Sequence, residues 1–202
     1  MGVGAVLGVG AAVTVVLAGC TSTSRPAPSG SQPSSAFDAT VVTKFTPYSS
    51  AGALTATVAA HGTGRCWTGS IVVPVAGAYR CIVGNDIADP CFAPPHPSTP
   101  VTVACLPDPW SGARVVTLTE PLPVTRPIGN AARPWAVQLA NGALCVASTG
   151  TVQVVHGVSL NLLCPGETGA GGLDTTSPTW HVQYGPKTGP LAAVDVTRAW
   201  RG

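Results

Sequence analysis

Charge is the scarcest property of this chain. Charged side chains make up 9% of its 202 residues, ten basic against eight acidic, and the net charge is +2. That composition argues against a nucleic-acid partner, because binding a phosphate backbone requires a basic patch that displaces counterions. Lysine is nearly absent, with Lys44 and Lys187 the two examples. Phenylalanine and tyrosine number three each and methionine one, so five tryptophans dominate the large side chains. Sustained helical periodicity is missing, which excludes an architecture built from long amphipathic helices. No apolar stretch matches the ~20 residues of a stable spanning helix. Signatures of chemistry are missing too: no G-x-S-x-G nucleophile elbow, no H-E-x-x-H zinc site and no C-x-x-C pair occurs. His61, His96, His156 and His181 are scattered, none at i, i+4 with another. The glycine-rich "ETGAGGLD", residues 167–174, lacks a P-loop lysine and reads as a flexible loop.

What is present begins at the N-terminus. Residues 1–20 carry no charged side chain, and the glycine-broken apolar run from Val3 to Leu17 has the length of a signal-peptide core. It ends in Leu17-Ala18-Gly19-Cys20, which resembles the bacterial lipobox. The resemblance implies a signal peptide over 1–19, diacylglycerylation of the Cys20 thiol, cleavage before it, and acylation of the new amino group. Two or more acyl chains hold a protein stably at a bilayer, at ~0.8 kcal/mol per buried CH₂. The chain is therefore expected to be anchored to the outer face of a cell membrane without spanning it. One departure is that no Lys or Arg precedes the apolar run. Either the signal is weak or translation starts upstream.

After Cys20, "TSTSRPAPSGSQPSSA" (21–36) is nearly all Ser, Thr, Pro, Gly and Ala. Such a segment buries too little apolar area to offset its ordering entropy and reads as a tether, bare or O-glycosylated. The tether is expected over 20–50, with a strand-like run at Thr40–Phe45 inside it. A β-rich domain follows over 51–202, with sub-regions 51–127 and 128–202.

The domain reads as mostly β: one compact, disulfide-stapled antiparallel domain with at most one short helix. Its apolar runs are short, rich in Val and Thr, and punctuated by Gly, Pro and Asn. They predict strands at Leu54–Ala59, Ser70–Val75, Val101–Cys105, Arg114–Thr119, Ala136–Leu139, Leu144–Ala147, Val152–Val155, Leu160–Cys164, Trp180–Tyr184 and Ala192–Val196. Asn141-Gly142 predicts a type I′ hairpin, and "STGT" (148–151) and "VHGV" (155–158) two further turns, giving a meander from Trp135 to Cys164. "AGAYRCIVGN" (76–85) predicts the one short helix, with Gly84 ending it. The proline-rich "DPCFAPPHPSTP" (89–100) predicts an extended loop.

Setting Cys20 aside leaves Cys66, Cys81, Cys91, Cys105, Cys145 and Cys164, an even set suited to three disulfides in an oxidising compartment. Six cysteines allow 15 pairings. The split of four and two between the sub-regions suggests Cys145–Cys164; for the other four, Cys66–Cys81 and Cys91–Cys105 are the expected pairs, a choice that sequence alone does not make. Asn85, Asp86 and Asp89 are a weak calcium candidate, since D-x-x-D lacks the alternating ligands of an EF-hand loop. No cofactor is implied. Trp135 and Trp180 lie at strands and are expected in the core, and Trp67 is expected on the Cys66 disulfide. Trp110, in the turn "LPDPWSG", is a candidate binding anchor.

"RCWTGSI" with "YRCIVGNDIADPCF", and "PWAVQLANGALC" with "LNLLC", "PTWHVQY" and "VDVTRAW", resemble a group of uncharacterised secreted or lipid-anchored proteins of actinobacteria, mycobacteria included. The excess of Arg over Lys suits a GC-rich source of that kind. The resemblance covers most of 64–200 and implies envelope localisation and disulfides, with no established activity. The expected function is thus a non-enzymatic envelope lipoprotein that presents a rigid domain to an envelope glycan or a protein partner. The alternatives are a hydrolase of cell-wall glycan or lipid esters and a lipid carrier.

Overall fold

Valine, threonine and glycine in short runs favour pleated backbone, and strands joined by turns and loops make up the fold. The computed structural model describes residues 39–127 and 129–202, and no helix occurs among them. Cys20 and the expected signal and tether up to residue 38 lie outside the described residues. From residue 40 the expected tether is already part of the fold. Strand β1 (Val41–Lys44) pairs in parallel with the last strand of the chain, and Tyr48 is buried.

A first small barrel consists of β2 (Val58–Gly69), β3 (Ala78–Val83), β4 (Asp86–Phe92), β5 (Thr102–Cys105) and β6 (Ala113–Leu118). Each strand runs antiparallel to the one before it. With five strands, the first and last then point the same way, so the ring closes through a parallel β2–β6 pair. Cys66 faces Cys81 in the β2–β3 register and Cys91 faces Cys105 in the β4–β5 register, and each pair is a disulfide. The bridges and Val83, Val103 and Val116 fill the barrel interior.

The second barrel is a six-stranded antiparallel ring. It comprises β7 (Ala136–Leu139), β8 (Leu144–Ala147), β11 (Leu162–Cys164), β12 (Thr168–Asp174), β13 (Trp180–Pro186) and β14 (Ala192–Arg201), closed by β14–β7. A hairpin of β9 (Gln153–Val155) and β10 (Val158–Leu160) pairs separately. The third disulfide, Cys145–Cys164, joins β8 to β11. All three expected pairings are thus formed. A further core joins the two barrels, with Phe92, Ala104 and Leu106 from one against Trp135 and Ala136 from the other. Phe45, Phe92 and Trp135 make a tilted aromatic cluster there, with centroids 5.5 to 6.5 Å apart.

Several local expectations are corrected. Residues 78–83 form β3 rather than a helix, because Cys81 and Val83 point inward together and the disulfide to Cys66 holds them there. Gly84, at φ 64°, is the first central residue of the two-residue β3–β4 turn instead of a helix end. Asp89–Phe92 belongs to β4 and not to a loop. Ser70–Val75 is a turn, since Ser70 and Asp89 tie it down. The predicted strand at Leu54–Ala59 starts at Val58 and runs on to Gly69.

"ETGAGGLD" is largely β12, a barrel strand whose Gly169, Ala170 and Gly171 are buried. The meander is interrupted by the β9–β10 hairpin, and β8 pairs with β11. Asn141-Gly142 sits in a three-residue loop with Gly142 in the left-handed region, closed by Gly142 N–H to Leu139 O. His156-Gly157 makes the two-residue turn, with φ 49° and 82° as type I′ requires. Trp67 is half exposed and faces out, because its neighbour Cys66 faces in.

Candidate functional site

The strand β4 carries a bulge. Cys81 pairs with Ala88 and Tyr79 with Cys91, so Asp89 and Pro90 together oppose Arg80. A bulge re-aims the side chains it displaces. Asp89 is turned into the protein, where its side chain is fully buried. The Ser70 hydroxyl donates to its Oδ1 at 2.5 Å and the Ile71 N–H to its Oδ2 at 3.2 Å. Arg80 Nη1 lies 3.7 Å from the same Oδ2. Burial nonetheless outweighs these contacts and raises the Asp89 pKa above the ordinary carboxylate value. Arg80 Nη2 donates to the Thr149 carbonyl in the second barrel at 2.9 Å, and its guanidinium lies 5.8 Å from the Trp67 ring. The buried carboxylate thereby orients the one arginine that links the barrels here.

Beside this link a cleft of about 490 Å³ opens between the barrels. Ile87, Leu106 and Ala60 of the first barrel and Val146, Ala147 and Leu163 of the second give it apolar walls. Asp86, Arg114 and Thr149 supply polar groups at its edge. The loop after β5 forms one wall through Leu106, Pro107 and Gly112. Gly112 is required there, because a Cβ would come 2.8 Å from that of Ala59.

The same loop carries Trp110. Asp108 shapes it, accepting from the Trp110 N–H at 3.0 Å and from the Ser111 hydroxyl at 2.8 Å. Trp110 is 40% exposed and stands edge-on to Trp200 at 5.4 Å. Arg198 lies over the Trp200 ring at 5.8 Å. Trp110 thus falls next to a second tryptophan and a cation from the other barrel, neither of which its local sequence announces.

The calcium candidates are divided. Asn85 and Asp86 are exposed at the β3–β4 turn, whereas Asp89 is inside with both oxygens engaged. Cys66, Cys81, Cys91, Cys105, Cys145 and Cys164 are structural bridges. Ser70 reads in the sequence as an ordinary turn or strand serine, and Arg80 and Arg114 belong to no catalytic or binding motif there. The available signal was the rarity of charge: Arg80 and Asp89 each interrupt an apolar strand, and such residues are buried only when paired. Comparison with models of protein families, with curated proteins and with solved structures finds no match.

Proposed function

We propose that this chain is a non-enzymatic envelope lipoprotein, anchored through acylated Cys20, whose two-barrel domain binds an envelope glycan along the inter-barrel cleft and the adjoining Trp110–Trp200 pair. The observation that carries the reading is that pair. Two tryptophans from different barrels meet at Trp110, 40% exposed, on the loop whose Pro107 and Gly112 line a cleft with apolar walls and a few polar groups at its edge. Indole faces stack on sugar rings, and apolar pockets with few convergent polar groups are the usual form of a ligand site. The low charge of the chain suits a neutral polymer better than an ionic one. Disulfides support an oxidising compartment, and the lipobox-like residues support the anchor.

The hydrolase alternative draws on Asp86 and Asp89, two carboxylate residues at one cleft. A general acid must reach the bond it protonates. The Asp89 side chain has no exposed surface, so what this residue presents to the cleft is main chain. That favours binding over turnover.

The test is a screen of the purified full chain against envelope glycans, peptidoglycan fragments and envelope extracts. Saturable glycan binding that Trp110→Ala weakens about tenfold, the loss of a hot-spot aromatic, is expected. Failure to bind any glycan, or product release abolished by Asp86→Asn, overturns the reading. Capture of a protein instead would leave a binding module of a different partner class. Mass spectrometry of the mature protein should find the acyl chains on residue 20, and an intact Met1 would refute the anchor.

A further inference from the structure

Apart from the inter-barrel cleft, the second barrel has a cavity of about 350 Å³ with a donor-rich lining. Arg201 at the end of β14, Arg133 and Asn130 from the loop before β7, and Asn161 between β10 and β11 all line it. Thr175 lines it as well, and no carboxylate does. In a chain with so few charges, two arginines in one small cavity call for an explanation.

Neither arginine has an ion-pair partner among the described residues. The Arg201 guanidinium lies over the Trp180 indole, 4.9 Å from its centroid, a cation–π contact that holds it near the ring. Its Nε–H is buried and has no acceptor. That atom is closed to a water-sized group, so Arg201 lines the cavity with its other atoms. Arg133 is held in position because Asn130 organises its turn: Asn130 Oδ1 accepts from the Ala132 N–H at 2.9 Å and Asn130 O from the Arg133 N–H at 3.0 Å. The nearest acid in sequence to the lining, Asp174, is committed elsewhere. Its Oδ1 accepts from the Thr176 N–H and hydroxyl, which hold its pKa below the ordinary value. His181, which faces Asp174 across β12–β13, bonds Asp195 at 2.8 Å.

We propose that this cavity is an anion site that takes a phosphate group, with the guanidinium groups of Arg201 and Arg133 and the side-chain amides of Asn130 and Asn161 as donors. Donors arriving from separate elements suit a tetrahedral group with several acceptor oxygens better than a planar carboxylate. The phosphate is either a free or soluble ester group or a lipid headgroup, and the experiment separates these sources.

The full chain is titrated with inorganic phosphate at constant ionic strength. Tryptophan emission reports on Trp180, and nuclear magnetic resonance reports on the Arg201 Nε–H. A saturable change in both is expected, with Trp180→Phe removing the emission response. Arg133→Gln should weaken binding about tenfold or more, as for loss of a charge-assisted hydrogen bond. Arg133 is exposed, so this variant should fold normally, and circular dichroism checks that it does. Vesicles of phosphatidylglycerol are compared with vesicles of phosphatidylcholine. A response to inorganic phosphate supports a free or ester phosphate. A response confined to phosphatidylglycerol and lost in Arg133→Gln supports a headgroup. A response matched by chloride or acetate, or unchanged by Arg133→Gln, overturns the proposal. Because the cleft and Trp110 are untouched by this variant, the outcome is independent of glycan binding.

Discussion

Asp89 shows how one residue can be decided by its surroundings. In the sequence it precedes a proline and reads as a turn residue, whereas in the fold it is the buried anchor of the Ser70–Val73 turn and of Arg80. Its pKa is raised by burial, so the protonated form is favoured by folding. Its contribution to stability is therefore full below the ordinary value of 3.8 and declines as pH climbs through the raised pKa. Asp89→Asn keeps one acceptor, for the Ile71 N–H, turns the other position into an N–H donor facing the Ser70 hydroxyl, and removes the titration. Urea unfolding across acid to neutral pH should show the wild type losing stability relative to Asp89→Asn as pH rises. A constant difference between the two would contradict the burial argument. Arg80→Lys should weaken the contact between the barrels, since one ammonium cannot reach Asp89 and the Thr149 carbonyl with the same planar fork.

Elements were legible wherever apolar residues lay between clear turn signals. The predicted spans of β7 and β8 coincide with the observed strands, and β5, β6, β9 and β13 differ by a few residues at their ends. β12 was not legible, because glycine is a poor strand former and "TGAGG" has no side-chain pattern to read. Its glycines serve close approach instead: a Cβ at Gly171 would run into the carbonyl of Ser159, where β10 lies against β12. Gly171→Ala should therefore cost about 1–3 kcal/mol by forcing the hairpin away, read as a lower urea midpoint. Gly150→Ala, in open space, should cost far less. The grouping of four and two pointed to Cys145–Cys164, and the strand register then chose the partners of the other four. Each bridge spans 14 to 19 residues. Replacing Cys66 and Cys81 together by alanine should lose about 3 kcal/mol, from the loop entropy that the bridge removes from the unfolded chain.

At the scale of the whole molecule, the decisive feature is the shared core between the barrels. Trp135 is 1% exposed and packs on Phe45 and Phe92, joining the residue before β7, the residue after β1 and the end of β4 in one cluster. Its deletion should affect both barrels at once. Trp135→Ala is expected to lower stability by about 3–5 kcal/mol, with the two barrels still unfolding in a single transition. Loss of one barrel's structure before the other, seen by hydrogen exchange, would show that the shared core does not couple them. The candidate sites also belong to this scale. Trp110 was visible as a turn tryptophan, but Trp200, Arg198 and the opposite wall of the cleft come from distant segments.

The sequence by itself determined the β class and an even set of six cysteines suited to three bridges, whereas the choice of partners among the first four cysteines came from strand register. The class and the even set follow from local information: the period of apolar residues, turn chemistry, and the count of one residue type along the chain. Only the tertiary structure decided that the strands close into two barrels, that Asp89 turns inward, and that two arginines sixty-odd positions apart share one cavity. Those outcomes depend on register, bulges and closure, which join residues far apart in the chain, and a single strand's pattern carries no record of its partner.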